Sequence, residues 1–127
     1  MRRRIEPHPD KLWEAASKAF LVGNTLYLSG QIGLDADGNL VGDDMGSQAR
    51  KALENIQEVL AAAGGTLQDL VHLTLYFKDG SDWSAYFEVA KEFFPSDPPP
   101  ATGVIVAGLL QPALLIEINA IAVVNAA

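Results

Sequence analysis

The chain has 127 residues, 49% hydrophobic and 20% charged, with a formal net charge of −7 and no cysteine. That length suits a single domain spanning 1–127, with core enough to need no covalent staples. The missing thiols exclude disulfides, thiolate metal sites and a cysteine nucleophile, and the acidic balance sets the surface against phosphate backbones.

At the start, Met1-Arg2-Arg3-Arg4 runs into Glu6, Pro7, His8, Pro9 and Asp10 instead of an apolar stretch, so no secretory signal is expected. The arginines read as a local basic patch on a mobile, solvated terminus. Ala19–Val22 and Thr25–Ser29 are β-prone runs joined by Gly23-Asn24, the signature of a tight hairpin. Asp35–Gly38 is a second turn, with Asp37-Gly38 at its tip. Met45, Ala49, Ala52, Leu53, Ile56, Val59, Leu60 and Ala63 then repeat at helical spacing. Asp43 or Asp44 offers that helix a cap, and Gly64-Gly65 ends it. Leu70–Phe77 reads as a strand. Trp83, Tyr86, Phe87, Ala90, Phe93 and Phe94 predict a second helix, capped by Ser81 or Asp82 and stopped by Pro95. After the proline-rich stretch to Pro100, Gly103–Leu109 and Ala113–Val124 complete the chain as strands.

The order is β-β-α-β-α-β-β, an α+β domain with two amphipathic helices on one face of a sheet. The last strand decides what covers the other face. Leu114, Ile116, Ile118, Ala120 and Ala122 point one way; Leu115, Glu117, Asn119, Ile121 and Val123 point the other. Both sets are largely apolar, and two helices cover only one of them. The second face is expected to be buried by self-association, at roughly 25 cal/mol per Å² removed from water. No run nears the roughly 18 apolar residues of a membrane helix. These features predict a cytoplasmic protein that engages neither membrane nor nucleic acid. His8 and His72 are too few and too far apart for a metal centre, and no cofactor is expected.

Four separated blocks carry a resemblance. Val22-Gly23-Asn24 with Leu28-Ser29-Gly30-Gln31, then Gln48–Ile56, then Ala107 with Leu109, and finally Ile116-Glu117-Ile118-Asn119-Ala120-Ile121-Ala122 resemble the RidA/YjgF family in order and spacing. The resemblance implies a chorismate-mutase-like fold and a homotrimer in which the sheets form a central barrel with the helices outside. It also implies small-molecule clefts between subunits, where typical members hydrolyse reactive imines and enamines to keto acids and ammonia.

Such chemistry needs a cation to hold the substrate carboxylate and a group to orient water against the imine carbon. The family's clamping arginine aligns with Ala101, or with Thr102 if the register shifts by one, and neither carries charge. The family's N-terminal tyrosine aligns with Ala16, its helical asparagine with Phe87, and its cysteine or threonine after the arginine with Gly103. Ser29-Gly30 keeps the small turn that admits a ligand. Glu117 aligns with the water-orienting acid, on an otherwise apolar strand where desolvation raises a carboxyl pKa. The alternative is that Glu117 ends a structural hydrogen-bond network at a subunit interface. Asn119 projects from the same face, toward cleft or barrel axis, and reads most simply as a packed interface amide. Thr102 offers a hydroxyl to a ligand or serves the strand. Phe87 fits the core stripe of its helix, or else makes the cleft more aromatic, and His72 reads as structural.

The expected function is hydrolysis of imine or enamine intermediates on a substrate without the usual carboxylate, or with it held by backbone N–H groups. The alternative is a trimer that binds a small metabolite without chemistry. Ribonuclease activity is disfavoured by the acidic charge and the lack of a histidine pair. Chorismate mutase activity is disfavoured by the lack of cations for a dicarboxylate.

Overall fold

The computed structural model describes residues 1–11 and 16–124. Strands β1 (Arg2–Ile5), β2 (Ala19–Val22), β3 (Thr25–Leu28) and the short β4 (Gln31–Ile32) precede helix α1 (Met45–Ala62). Then come β5 (Leu70–Lys78), helix α2 (Ser84–Phe93), β6 (Ala101–Val106) and β7 (Ile116–Val123). The strands form one sheet in the order β1-β2-β3-β7-β5-β6, with β4 also paired to β7. Only β5 and β6 run parallel, and α2 supplies the crossover that a parallel pair requires. This is the expected α+β architecture with two strands added.

The β2–β3 link needs the left-handed region at Gly23 alone (φ 61°). Helix α1 starts where the Asp44 carboxylate accepts from the Ser47 N–H at 2.9 Å. It ends in a glycine cap: Gly64 sits at φ 82°, and Gly65 N–H donates back to the Leu60 carbonyl at 2.7 Å. Its apolar stripe is buried from Met45 to Leu60, and one polar residue, Gln48, lies fully buried within it.

Four expectations need correction. The basic terminus is not mobile: Ile5 is packed in the core opposite Ala19, and the Arg2 guanidinium lies 4.3 Å from the centre of the Phe20 ring. A buried anchor and a stacked cation hold β1 on the sheet edge. Helix α2 begins at Ser84 without a side-chain cap, because Asp82 instead accepts from the Ser84 hydroxyl. Its buried positions are Tyr86 and Val89, while Phe87 and Trp83 stand outside the core, 44% and 52% exposed and packed edge-to-face on each other. Finally, β6 begins at Ala101 and β7 at Ile116, each displaced from the expected start. The Pro100 carbonyl accepts from Leu73 N–H at 2.9 Å, which seats the strand directly after the prolines.

The two faces of β7 separate as expected. Leu114, Ile116, Ile118, Ala120 and Ala122 are all buried beneath the helices. Glu117, Asn119, Ile121 and Val123 face the other way, beside Tyr27 on β3 and Thr74 and Tyr76 on β5. A bulge between Leu70 and His72 sends Leu70 into the core and puts His72 on this open face with Thr74. Tyr27, Val104 and Val22 remain exposed there.

Candidate active site

The turn between β3 and β4 is fixed by its own polar groups. Ser29 N–H donates to the Lys18 carbonyl at 2.8 Å, and its hydroxyl donates to the same oxygen at 3.1 Å. The buried Gln31 amide donates to the Ser29 carbonyl at 3.0 Å. Beside this turn, β4 pairs with β7 so that Ile32 lies opposite Glu117. The Glu117 side chain then folds over Gly30. A Cβ at position 30 would lie 2.7 Å from the Glu117 carboxyl carbon, so glycine here is what admits the carboxylate.

Glu117 is half-buried, and no described residue donates a hydrogen bond to its carboxylate. Burial pushes its carboxyl above the ordinary value of 4.5. A raised folded value favours the protonated acid in the folded state. The associated stability is complete below the ordinary carboxylate range and is lost as pH rises through the folded value. Glu117→Gln should therefore match the parent in melting temperature near about pH 4 and exceed it at about pH 7. Paired melts at one protein concentration check this, and a variant less stable at neutral pH would reveal a stabilising partner for the carboxylate.

Ser29, Gly30 and Glu117 line a cavity of about 610 Å³. Its other walls bring in His8, Lys18, Asn55 and Glu58, and Leu110 with Gln111 from the loop before β7. Asn55, on α1, fastens the helix to this region by donating to the Ile32 and Leu34 carbonyls at 3.0 Å each. His8 Nε2 lies 2.6 Å from Glu58 Oε2. Sequence reasoning set His8 aside, and nothing local could have rescued it, since its partner stands 50 residues away.

No arginine lines the cavity among the described residues. Arg2 rests on Phe20, Arg4 pairs with Glu6 at 2.6 Å, and Arg50 makes a two-pronged contact with Glu92 at 2.8 and 3.2 Å. No group of three histidines, aspartates or glutamates is placed to hold a metal among those residues. No helix of the structure is long and apolar enough to cross a membrane.

The remaining candidates do not join the cavity within one protomer. Asn119 is exposed on the open face opposite Thr74. Thr102 lies across β5 from it, its hydroxyl 3.4 Å from His72 Nε2. Ala101 and Gly103 are exposed on the edge strand β6. Phe87 is on the outer side of α2, 5.0 Å from the Tyr86 ring centre. The eight candidates thus form one cluster at the cavity and scattered groups elsewhere.

Residues 9–124 match the family model described as Endoribonuclease L-PSP. A RutC family protein of Pyrococcus horikoshii is 41% identical over 107 residues, which cover 84% of each chain. Among solved structures, the Rid family protein YyfA of Yersinia pestis superposes with a TM-score of 0.89 at 31% identity, over 98% of this chain and 100% of that one. RidA from an Antarctic Psychrobacter species gives 0.86 at 32% identity, over 96% of this chain and 99% of that one. With its fold, its sheet order and these matches in agreement, the chain belongs to the Endoribonuclease L-PSP family, the RidA/YjgF group.

Proposed function

We propose that this protein hydrolyses reactive imines or enamines to carbonyl compounds and ammonia, in clefts completed by neighbouring subunits of a homotrimer. The observation that carries this reading is Glu117: a half-buried carboxyl with a raised pKa, held over Gly30 at the wall of a cavity. Water adds to the imine carbon as Glu117 takes one of its protons and the nitrogen gains one, giving a carbinolamine. The nitrogen then leaves as ammonia while the hydroxyl proton is lost and the carbonyl forms. The group that activates water must be basic at working pH and still hand its proton on, which suits a raised carboxyl.

The substrate is one without a carboxylate, or with it held by backbone N–H groups, because no arginine lines the cavity among the described residues. The homotrimer is favoured by the apolar open face of the sheet. In such an assembly Ala101, Thr102 and Gly103 on the exposed edge strand β6, together with Asn119 and Phe87, border the cleft of a neighbour. Ribonuclease action is favoured less, since His8 lines the cavity while His72 lies apart on the open face, and the net charge is −7.

The test is the decay of imines generated in place by an amine oxidase and, separately, by an amino-acid oxidase. The protein should accelerate decay of the carboxylate-free imines. Glu117→Gln should reduce that acceleration by about 100-fold or more, the usual range for a lost acid–base group. No acceleration in either series would leave a trimer that binds a small metabolite without converting it.

A further inference from the structure

We infer that His8, oriented by Glu58, is the second proton-transferring group of this cavity, working with Glu117; the inference rests on the hydrolytic reading above. Adding water to C=N and expelling ammonia each need one proton delivered and one removed, at two different atoms, and two titratable groups can serve those two ends. The cavity presents a second titratable side chain in the right state of restraint. His8 Nε2 is 2.6 Å from Glu58 Oε2, a separation that fixes the orientation of the ring. This is the base-plus-orienter arrangement that recurs where a side chain must exchange protons repeatedly.

The pair is tied to Glu117 through the fold. Asn55 bonds the carbonyl of Ile32, the direct cross-strand neighbour of Glu117. Glu58 follows Asn55 by three residues on α1, on the same helical face. His8 and Glu117 thus line the same cavity of about 610 Å³.

The protons balance over the cycle. In the first half the His8 imidazolium protonates the imine nitrogen while the Glu117 carboxylate takes a proton from water, and the C–O bond forms. In the second half protonated Glu117 gives its proton to the leaving nitrogen, neutral His8 takes the hydroxyl proton, and the C–N bond breaks. Both groups return to their starting states.

Other charged groups also line the space around His8. Glu6 is engaged by Arg4 and by the Lys18 N–H, and Asp35 closes its own turn through Asp37 and Asn39 N–H groups. Among the described residues, Lys18 and Asp37 also line this cavity.

The experiment compares His8→Gln and Glu58→Gln with the parent across about pH 5 to 9, on a carboxylate-free imine supplied by an amine oxidase. Glutamine can still hydrogen-bond to Glu58, so a merely structural histidine predicts unchanged kinetics. The dyad predicts at least a tenfold fall in kcat in His8→Gln with KM within about threefold, and loss of the limb of the pH profile that the imidazole supplies. Glu58→Gln should lower kcat in the same direction with KM within about threefold, because the ring loses the group that orients it. Parent kinetics retained in His8→Gln would overturn the dyad and leave the hydrolase standing. No turnover by the parent itself would overturn both.

Discussion

Replacing Gln48 by leucine is expected to destabilise the protein by about 3 to 5 kcal/mol, lowering its melting temperature by about 10 to 20 °C at fixed concentration. Gln48 is fully buried in the apolar stripe of α1. Its amide nitrogen donates to the carbonyls of Gly42 and Ala113 at 3.0 Å each, and its oxygen accepts from Leu115 N–H at 2.7 Å. Leucine has nearly the same length but satisfies none of the three. Each buried group left unpaired costs about 1–3 kcal/mol, and the transfer gain of an apolar side chain offsets only part of that. The helix passes close to the backbone of Gly33 here, where a Cβ would lie 2.8 Å from the Gln48 Cα. The effect reaches the cavity too, because Ala113 and Leu115 end the loop that carries Leu110 and Gln111 into its wall. A fall of less than about 3 °C in a thermal melt would mean that these backbone groups find other partners.

The second large effect is on assembly. Ile121→Asp should convert the proposed homotrimer to monomers in sedimentation velocity at micromolar concentration, with the fold retained by circular dichroism. Ile121 sits on the open face, directly opposite Tyr27 on one side and His72 on the other, at the middle of the sheet. A carboxylate there has no lysine or arginine opposite it in the sheet, only Tyr27 and His72, and association would take its charge out of water, at a cost of several kcal/mol per copy. Because the helices lie on the far face, the substitution leaves the core packing of the protomer untouched. A parent protein that sediments as a monomer would remove the trimer and, with it, the completed cleft. A variant that still assembles would place the interface elsewhere.

Much of this fold could be read in the residues. The hairpin at Gly23, the glycine-capped α1 and the two-faced β7 all announce themselves through local pattern. What escaped was set by tertiary partners. Strand β1 carries three arginines on exposed positions, and only Ile5 betrays it, because the partner that stacks with Arg2 is a phenylalanine 18 residues on. The aromatic spacing of α2 suggested a broader core stripe, but Trp83 and Phe87 pack on each other outside it. For the candidate site, Glu117 and Ser29-Gly30 were picked out through the family resemblance, and the pairing of β4 with β7 sets them beside one cavity. The pair His8 and Glu58 was not, since no period or motif links a loop residue to a helix residue so distant in sequence.

The place of β7 in the sheet has a consequence for how the molecule is made. The last strand of the chain is flanked by β3 and β5, and takes β4 as well. Everything synthesised before it is two half-sheets with no ladder between them. As the ribosome releases the chain in order, β3 and β5 present unpaired edges and apolar faces until Ile116–Val123 emerges. Closure is then a single late event that zips both halves together and brings Glu117 over Gly30 in the same step. A nascent chain stalled a few residues short of that strand would carry every earlier element of the fold and still lack Glu117. In this protein the strand that completes the sheet is also the one that carries Glu117.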